Sequence, residues 1–271
     1  MKSNTRPDMA ITDLLYGVEN AVAWITFNRP ARRHALGDTT TRQLVCLCQR
    51  AAHDPAVKVV VIQGQGDAFC AGGDMEDTFQ RGASMDARQW SDRIREGPNA
   101  LALAIQTMGK PVIASVNGLA VGGGATIALA CDLRIASDGA RFGFPFARLG
   151  ITPEFGCSYL LQRVVGVGRA MEWLLLGEFI DAATALQHGL VNRVVEHAAL
   201  ASATRQWADH LASLPAPAVA RLKHLMHFAR QHDLAATLEQ EALALGESFT
   251  SIEHRAAVEQ FLQRKATASK A

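Results

Sequence analysis

Two glycine-rich segments could bind an anion through the backbone alone. The first spans residues 69–74 (FCAGGD) and the second residues 117–124 (NGLAVGGG), and each follows an apolar run typical of a buried strand. A strand that ends in glycines and opens a helix presents unpaired N–H groups at the positive end of the helix dipole. Such groups suit a phosphate or an oxyanion. Neither segment has the glycine spacing of a dinucleotide-binding turn or of a nucleotide phosphate loop.

Glu154 is the acid whose surroundings best suit proton transfer. It lies within residues 149–158 (LGITPEFGCS), and we expect Phe146, Ile151 and Phe155 to make its environment apolar. Burial disfavours the charged form of a carboxyl group, so the pKa of Glu154 would rise toward that of a useful base. A structural interpretation is also open, because an acid that precedes a helix predicted over 159–165 would stabilise the positive end of that helix. The two roles can coexist.

Alternating strands and helices are predicted to bring these residues together. Strands and helices are indicated by the patterns at residues 20–28, 57–62, 111–116 and 133–136 (strands) and at 41–53 and 101–108 (helices). We expect Asp38 to cap the first helix. This order predicts an α/β protein with ββα-like or βαβ units. From about residue 172 the pattern is mainly helical. We expect residues 75–99 to form a polar, partly helical flap whose Arg93 and Arg95 face solvent.

Composition excludes several classes of protein. The chain has 271 residues, of which 49% are hydrophobic and 20% charged, and its formal net charge is +1. This balance offers no field to hold a nucleic acid or an anionic membrane, and the apolar stretches are too short to span a bilayer. The first residues lack the apolar run of a signal peptide. The five cysteines have no paired spacing, so we expect reduced thiols, a cytoplasmic protein and no nucleic-acid or membrane partner.

Several segments resemble, in order along the chain, the signature of the crotonase (enoyl-CoA hydratase/isomerase) superfamily. Residues 69–74 are similar to its F-x-A-G-x-D segment, and residues 110–132 to its K-P-V-I-A-A-V-N-G-x-A-x-G-G-G…C-D segment. Further matches lie in residues 28–30 (NRP) and 177–195. The resemblance therefore covers about residues 10–265.

This resemblance implies a fold and a site. The fold is α/β, a crotonase-like spiral of ββα units in residues 1–200, followed by a C-terminal helical trimerisation region in residues 201–271. The chain is expected to form a homotrimer or a dimer of trimers. The substrate is an acyl-CoA thioester whose oxygen lies in an oxyanion hole made by the N–H groups of Gly73 and Gly123. Coenzyme A enters as part of the substrate, and no metal or other cofactor is expected. The residues that bind the CoA portion are Arg32, Ala35, Gly72, Asp74 and Met75.

The resemblance also separates the reactions of the family. Its hydratases hold a water between two glutamates, and the matching positions here are Thr126 and Phe146. Neither side chain serves as a general acid or base near neutral pH, so ordinary hydration is disfavoured. Glu154 instead looks like the single acid of the Δ3,Δ2-enoyl-CoA isomerases, with Phe155 as a departure from their pattern. We therefore expect an enoyl-CoA isomerase with Glu154 as its catalytic residue.

Other functions stay open on the sequence alone. Within the same family, the chain could be an enoyl-CoA hydratase or an acyl-CoA thioester hydrolase. A third possibility is a non-catalytic member that binds CoA or RNA, although the near-zero net charge argues against RNA.

Overall fold

The computed structural model describes residues 11–82 and 84–268, which form two β-sheets surrounded by helices. In chain order its strands are β1 (Leu14–Glu19), β2 (Val22–Phe27), β3 (Val59–Gly64), β4 (Ala68–Cys70), β5 (Val112–Val116), β6 (Leu119–Val121), β7 (Leu133–Ser137), β8 (Arg141–Gly143), β9 (Phe179–Asp181) and β10 (Arg193–Val195). Its α-helices are α1 (Asp38–His53), α2 (Met75–Gly82), α3 (Ala87–Ile94), α4 (Ala100–Thr107), α5 (Gly123–Ala130), α6 (Cys157–Val165), α7 (Val167–Leu176), α8 (Ala182–Gln187), α9 (Leu200–Ser213), α10 (Ala216–Phe228), α11 (Leu234–Thr250) and α12 (Ile252–Ala268). A π-helical turn (Arg95–Asn99) joins α3 to α4.

The four predicted strands are confirmed as β2, β3, β5 and β7, which lie side by side in the larger sheet. That sheet has the order β1-β2-β3-β5-β7-β10, with β1 antiparallel to β2 and the other neighbours parallel. All five residues of β5 are buried, as expected for a parallel strand covered on both faces. The additional strand β1 lies at the edge and is mostly exposed, so it carries little hydrophobic signal.

Three consecutive ββα units build the part of the fold that carries the glycine segments. In each of the pairs β3–β4, β5–β6 and β7–β8, the first strand joins the larger sheet and the second joins a four-stranded sheet of order β4-β6-β8-β9. A helix follows each pair. The predicted α/β fold with ββα units is therefore confirmed.

Two apolar clusters cover opposite faces of the larger sheet. One contains side chains of both sheets together with α1, α4, α5 and α6. The other consists of β-strand residues covered by Leu200, Ala203 and Ala208 of α9. Helix α9 thus packs on the sheet, and α10 begins after the break at Pro215.

The C-terminal helix α10 is held to the core by a buried lysine. Lys223 is 7% exposed, and its Nζ atom donates to Asp132 Oδ2 at 2.7 Å and to the backbone oxygens of Ile105 and Lys110 at 3.0 and 3.1 Å. Beyond this anchor, α10, α11 and α12 expose many large apolar side chains. None of the helices in residues 11–82 and 84–268 is long and apolar enough to cross a membrane.

The start of α1 differs from the prediction. The N-cap of α1 is Gly37, and Asp38 is the first helical residue without a capping hydrogen bond from its side chain. Its carboxylate instead accepts from Arg93 of α3. Asp38 was therefore wrongly predicted as a cap, because this long-range ion pair competes for its side chain.

Candidate functional site

Three short strands bring the predicted site residues to one edge of the smaller sheet. Strand β4 pairs parallel with β6, and β6 pairs parallel with β8. Because parallel neighbours run in the same direction, the segments that follow them meet at the carboxyl edge, where ligands bind in open α/β sheets. Those segments carry Gly72 and Gly73, Gly122 and Gly123, and Glu154.

The first glycine segment is fixed by a single β-bridge between Gly73 and Leu36. In this bridge the N–H of Leu36 donates to the Gly72 oxygen at 2.7 Å, and the N–H of Asp74 donates to the Leu36 oxygen at 2.9 Å. The parallel pattern uses the residues on either side of Gly73, so the N–H of Gly73 itself points away from Leu36. A Cβ atom on Gly73 would meet no atom within 4 Å. Gly73 is exposed, and the side on which a Cβ would lie is open.

The second glycine segment turns β6 into α5 and lies against the first. Gly122 is the N-cap with φ 52°, in the left-handed region, and Gly123 is the first helical residue, whose N–H has no partner within the helix. A Cβ atom on Gly72 would lie 2.6 Å from the Val121 oxygen and 3.6 Å from the Gly123 nitrogen. The two segments therefore need glycine where they touch, and the fold brings the amides of Gly73 and Gly123 close together.

Glu154 lies directly beside Gly123. Its Oε1 atom is 3.1 Å from the position that a Cβ of Gly123 would occupy. The next two residues, Phe155 and Gly156, have φ values of 53° and 78°, and this left-handed pair leads the chain into α6. Phe155 is buried, and a left-handed bulky residue is an uncommon, strained conformation. The turn thus holds the carboxyl group over the glycine segment.

The environment of Glu154 disfavours its charge. Burial raises the pKa of Glu154 to about 7, and the positive charge of Arg93 acts in the opposite direction. Within the described part of the chain, no hydrogen bond to the Glu154 carboxylate contributes to its pKa shift. The structural interpretation receives no support, since Gly156 is the N-cap of α6 and the first turn of α6 contains no acid.

The two residues at the positions that match the hydratase glutamates, Thr126 and Phe146, are buried. Thr126 is fully buried, and its hydroxyl donates to the Gly122 oxygen at 3.0 Å. Phe146 is 3% exposed, and its ring lies 3.9 Å from the position of a Cβ on Gly122. Neither side chain presents an acid or a base to the edge where the glycine segments meet.

The predicted CoA-contacting residues cluster on the other side of the first glycine segment. The Asp74 carboxylate is buried and accepts from Arg32 at 2.7 Å and from Arg29 at 3.2 Å. Burial alone would raise the pKa of Asp74, but the hydrogen bonds from Arg32, from the backbone N–H of Asp77 and from Arg29 outweigh it and hold the pKa below its usual range. The ionised Asp74 carboxylate therefore holds the side chains of Arg29 and Arg32 in place.

Arg32 lines an open polar cleft of about 500 Å³. The lining residues are Asp13, Arg29, Arg32, Gly37, Thr39, Asp74, Glu76, Asp77 and Gln80. Arg32 also donates to the exposed Glu76 at 2.8 Å. Ala35 accepts from Arg29 at 2.6 Å, and Met75, the first residue of α2, is half exposed.

Three features of the site differ from the sequence-based expectation or were missed by it. Ile151 is 48% exposed and does not bury Glu154. Arg93 was predicted to face solvent, but its side chain is only 14% exposed and binds Asp38. Leu36 was not identified, although its Cδ1 atom is 3.1 Å from a Cβ position on Gly123. These contacts join residues far apart in sequence, so no local pattern indicates them.

Comparison with known proteins agrees with this geometry. Residues 17–269 match the family described as Enoyl-CoA hydratase/isomerase. The chain is 34% identical to the short-chain-enoyl-CoA hydratase of Clostridium acetobutylicum, over 95% of this chain and 97% of that protein. It is 33% identical to the 1,2-epoxyphenylacetyl-CoA isomerase of Escherichia coli, over 93% and 96% of the two chains. The crystal structure of an enoyl-CoA hydratase/isomerase from Cupriavidus metallidurans has a TM-score of 0.88 and 30% identity, covering 94% of this chain and 95% of that one.

Proposed function

The chain belongs to the enoyl-CoA hydratase/isomerase family, and from that premise we propose that it is an enoyl-CoA isomerase. The substrate is a 3-enoyl-CoA, whose double bond is moved into conjugation with the thioester. Glu154 is the single proton shuttle, and the N–H groups of Gly73 and Gly123 are the donors of the oxyanion hole. The reaction requires no group besides these residues and the substrate.

The reaction consists of two proton transfers at one carboxylate. The Glu154 carboxylate removes a proton from C2, and the electron pair of the broken C–H bond spreads onto the thioester oxygen as a dienolate. Hydrogen bonds from Gly73 and Gly123 stabilise this negative charge most strongly as it develops, and losing one such donor typically lowers the rate by about 10²–10³. The protonated Glu154 then delivers its proton to C4, which leaves the double bond between C2 and C3.

One observation carries the proposal: the Glu154 carboxyl group lies beside Gly123, and neither of the two positions that match the hydratase glutamates holds an acid. Glu154 Oε1 is within 3.1 Å of the Cβ position of Gly123, while Thr126 and Phe146 are buried and have no titratable group. Hydration needs an acid and a base on one water, each worth roughly 10²–10⁴ in rate. A double-bond shift needs only one group that takes a proton and returns it. The raised pKa of Glu154, about 7, supports both halves of that task near neutral pH.

Hydration of a 2-enoyl-CoA is the second candidate. It is favoured by the relative from Clostridium acetobutylicum, which is named a short-chain-enoyl-CoA hydratase. In that case Glu154 alone would have to activate the water. Thioester hydrolysis and non-catalytic CoA binding are weaker candidates, since a buried acid with a raised pKa beside the Gly123 backbone suits proton transfer next to a thioester.

We further propose that CoA lies along Arg32, Ala35, Gly72, Asp74 and Met75. Support comes from the exposed ion pair between Arg32 and Glu76, because such surface pairs are weak and a phosphate could replace the carboxylate.

The exposed apolar faces of α10 and α11 support assembly into a homotrimer or a dimer of trimers. The five cysteines are free thiols, four of them buried, which supports a reducing compartment such as the cytoplasm.

The experiment that tests the function is an absorbance assay of purified protein with a 3-enoyl-CoA and, separately, a 2-enoyl-CoA. We expect conjugation to appear from the 3-enoyl substrate and little loss of conjugation from the 2-enoyl substrate. Glu154→Gln should reduce isomerase turnover by at least about 10²-fold. The matched control is Glu19→Gln, which changes an exposed glutamate on β1 and should leave turnover unchanged.

Three outcomes would contradict the proposal. Full isomerase turnover by E154Q would remove Glu154 from the mechanism. Rapid loss of conjugation from the 2-enoyl substrate would favour the hydratase. No reaction with either substrate at several acyl lengths would favour a non-catalytic protein.

A further inference from the structure

A buried histidine lies inside the turn of residues 29–36, which precedes α1. His34 is 1% exposed, and its ring centroid lies 6.1 Å from that of Phe27 on β2. Both of its ring nitrogens meet backbone groups. Nδ1 accepts from the N–H of Arg29 at 3.0 Å, and Nε2 lies 2.7 Å from the Gln65 oxygen. The ring is therefore unavailable to a ligand and holds the turn from the inside.

These two partners fix the protonation state of the His34 ring. A backbone oxygen only accepts hydrogen bonds, so Nε2 must carry a hydrogen. A backbone N–H only donates, so Nδ1 must be unprotonated, and the ring is neutral. A second proton can bind only at Nδ1, where it would oppose the N–H of Arg29. Protonation of the ring is therefore incompatible with the present conformation of the turn.

The surroundings of His34 also disfavour a positive charge. Burial lowers the pKa of His34, the hydrogen bond to the Gln65 oxygen acts in the opposite direction, and the positive charge of Arg29 adds to the lowering. From β4 the Cys70 thiol donates to the backbone oxygen of His34 at 3.1 Å. Burial raises the pKa of this thiol to about 12, so it stays neutral. His34 is therefore neutral at pH 7 and takes up a proton only below its ordinary pKa of 6.5.

The turn that His34 fills lies alongside the first glycine segment. The N–H of Ala71 donates to the Arg33 oxygen at 2.9 Å, and the bridge between Leu36 and Gly73 continues this contact. The thiol bond from Cys70 joins the same two segments at His34 itself. The conformation of the turn thus determines where the backbone of the glycine segment lies.

The turn also carries residues of the proposed CoA site in an uncommon backbone conformation. Arg33 and His34 have φ values of 46° and 59°, in the left-handed region that few residues other than glycine adopt. The guanidinium of Arg29 binds Asp74 and the Ala35 oxygen. Two consecutive left-handed residues persist only when their surroundings hold them, and the His34 ring supplies two of the contacts that do so.

We propose that His34 is a positioning residue for acyl-CoA binding: its neutral ring holds the turn of residues 29–36 in the conformation that places Arg32, Ala35 and the first glycine segment, and protonation of the ring releases that turn. This inference rests on the proposed CoA site and adds a residue that acts on it without touching the ligand. The consequence is that acyl-CoA binding weakens in acid through a group other than Glu154.

The test compares His34→Asn with His34→Leu and with the control His53→Asn. Asparagine places an acceptor oxygen where Nδ1 lies, does not titrate, and tolerates the left-handed region. Leucine leaves the N–H of Arg29 without an acceptor. His53 is an exposed histidine on α1 whose ring binds the Gln49 oxygen of its own helix. Calorimetry measures the Kd of butyryl-CoA, a saturated thioester with no double bond to move, from pH 8 to pH 5.

At pH 8 we expect H34N to bind butyryl-CoA within about fivefold of wild type, because it lacks only the bond to Gln65, and H34L to bind at least about tenfold more weakly than H34N. The Kd of wild type divided by that of H34N cancels proton uptake by the ligand and by Glu154. Below the pKa of His34 this ratio should rise about tenfold per pH unit, since only the protein with a neutral ring binds. The ratio of wild type to H53N should stay constant.

NMR of the histidine ring nitrogens, with His34 assigned by its absence in H34N, provides a second readout on the wild type. We expect the neutral Nε2–H form at pH 7, and the Ala71 and Gly72 amide signals should shift with the His34 midpoint. The proposal is wrong if His34 is charged at pH 7, or if H34L binds as tightly as H34N. A constant ratio while His34 titrates, or a ring that stays neutral to pH 5, would contradict the release of the turn by protonation.

Failure of this inference is distinguishable from failure of the proposed function. A wild type that does not bind butyryl-CoA at pH 8 would contradict the proposed CoA site. The NMR titration would still report whether the His34 ring holds the glycine segment. An active wild type whose affinity follows that of H34N at every pH would contradict only the role of His34.

Discussion

Glu154 makes the protein less stable in the form that the proposed reaction requires. Burial raises the pKa of Glu154 from 4.5 to about 7 in the folded protein. Between these two pH values the folded state binds the proton more tightly than the unfolded state does. The free energy of unfolding therefore falls as pH rises through this window, and the loss is complete above the folded-state pKa.

Glu154→Gln should stabilise the protein while it abolishes turnover. Glutamine has nearly the same shape and carries no charge, so the cost of ionising a buried group disappears. At pH 8 we expect the free energy of unfolding to increase by about 1–3 kcal/mol, and the difference from wild type should close as pH falls toward 5. Denaturant unfolding at fixed protein concentration and several pH values measures this difference.

The Glu19→Gln variant is the control for this measurement, because Glu19 is exposed and its ion pair with Arg205 is a weak surface pair, so removing its charge should produce little such pH-dependent gap. Equal stabilities of E154Q and wild type at pH 8 would show that the folded protein ionises Glu154 without cost. The raised pKa of Glu154 would then be wrong.

Sequence patterns could single out Glu154, Gly73 and Gly123 as candidates because each belongs to a contiguous motif, and their catalytic roles stay a prediction. The same reasoning failed for Arg93 and Ile151. Arg93 meets Asp38 across 55 residues, and an arginine in a polar segment looks like any other surface charge. Ile151 is apolar but half exposed, since the left-handed turn at Phe155 buries the aromatic ring instead. Only the three-dimensional path of the chain decides which of these side chains is buried.

The same limit applies to the secondary structure. Strands β3, β5 and β7 lie in a parallel sheet and form continuous buried runs, which is a strong signal in sequence. Strands β4, β6 and β8 have three residues each, too few to show any periodicity. Their positions depend on pairing with one another, yet the segments that follow them carry the residues of the candidate site. The part of the fold closest to the chemistry was therefore the least predictable.

The junction between β6 and α5 should tolerate no side chain at its first helical position. In Gly123→Ala the new methyl group would lie 2.9 Å from the Phe155 ring and 3.1 Å from Glu154 Oε1. We expect a loss of about 1–3 kcal/mol in the free energy of unfolding from this overpacking. Displacing the acid by about 1 Å would also lower kcat/KM by roughly 10².

Gly73→Ala is the matched variant in the other glycine segment. Its methyl group would meet nothing within 4 Å, so its free energy of unfolding should stay within about 0.5 kcal/mol of wild type. Denaturant unfolding of both variants distinguishes them. Equal destabilisation would contradict the asymmetry between the open face of Gly73 and the packed face of Gly123.

The arrangement of the whole molecule leaves the C-terminal helices without a partner on one face. Lys223 turns its side chain into the core, where Asp132 and two backbone oxygens hold it. On the same helix, Leu222 and Met226 are four residues apart, and they are 65% and 60% exposed. Leu245 and Phe249 repeat this spacing on α11. Adjacent apolar side chains at helical spacing on an exposed face are typical of an interface between subunits.

Replacing both Leu222 and Met226 by Asp should therefore dissociate the proposed trimer. The wild type is expected at about 87 kDa as a trimer or about 175 kDa as a dimer of trimers, three or six times the chain mass of 29.1 kDa, and the variant near the single-chain mass. Light scattering on a sizing column at micromolar concentration measures both. Leu15→Asp is the control, because Leu15 is also about half exposed but lies on the edge strand β1. The mass of this variant protein should equal that of the wild type.

A monomeric wild type, or a double variant that keeps the larger mass, would mean that α10 does not join the subunits. The double variant keeps the contacts of Lys223 that hold α10 to the core. The free energy of unfolding of the monomeric variant therefore measures the stability of a single subunit without the interface.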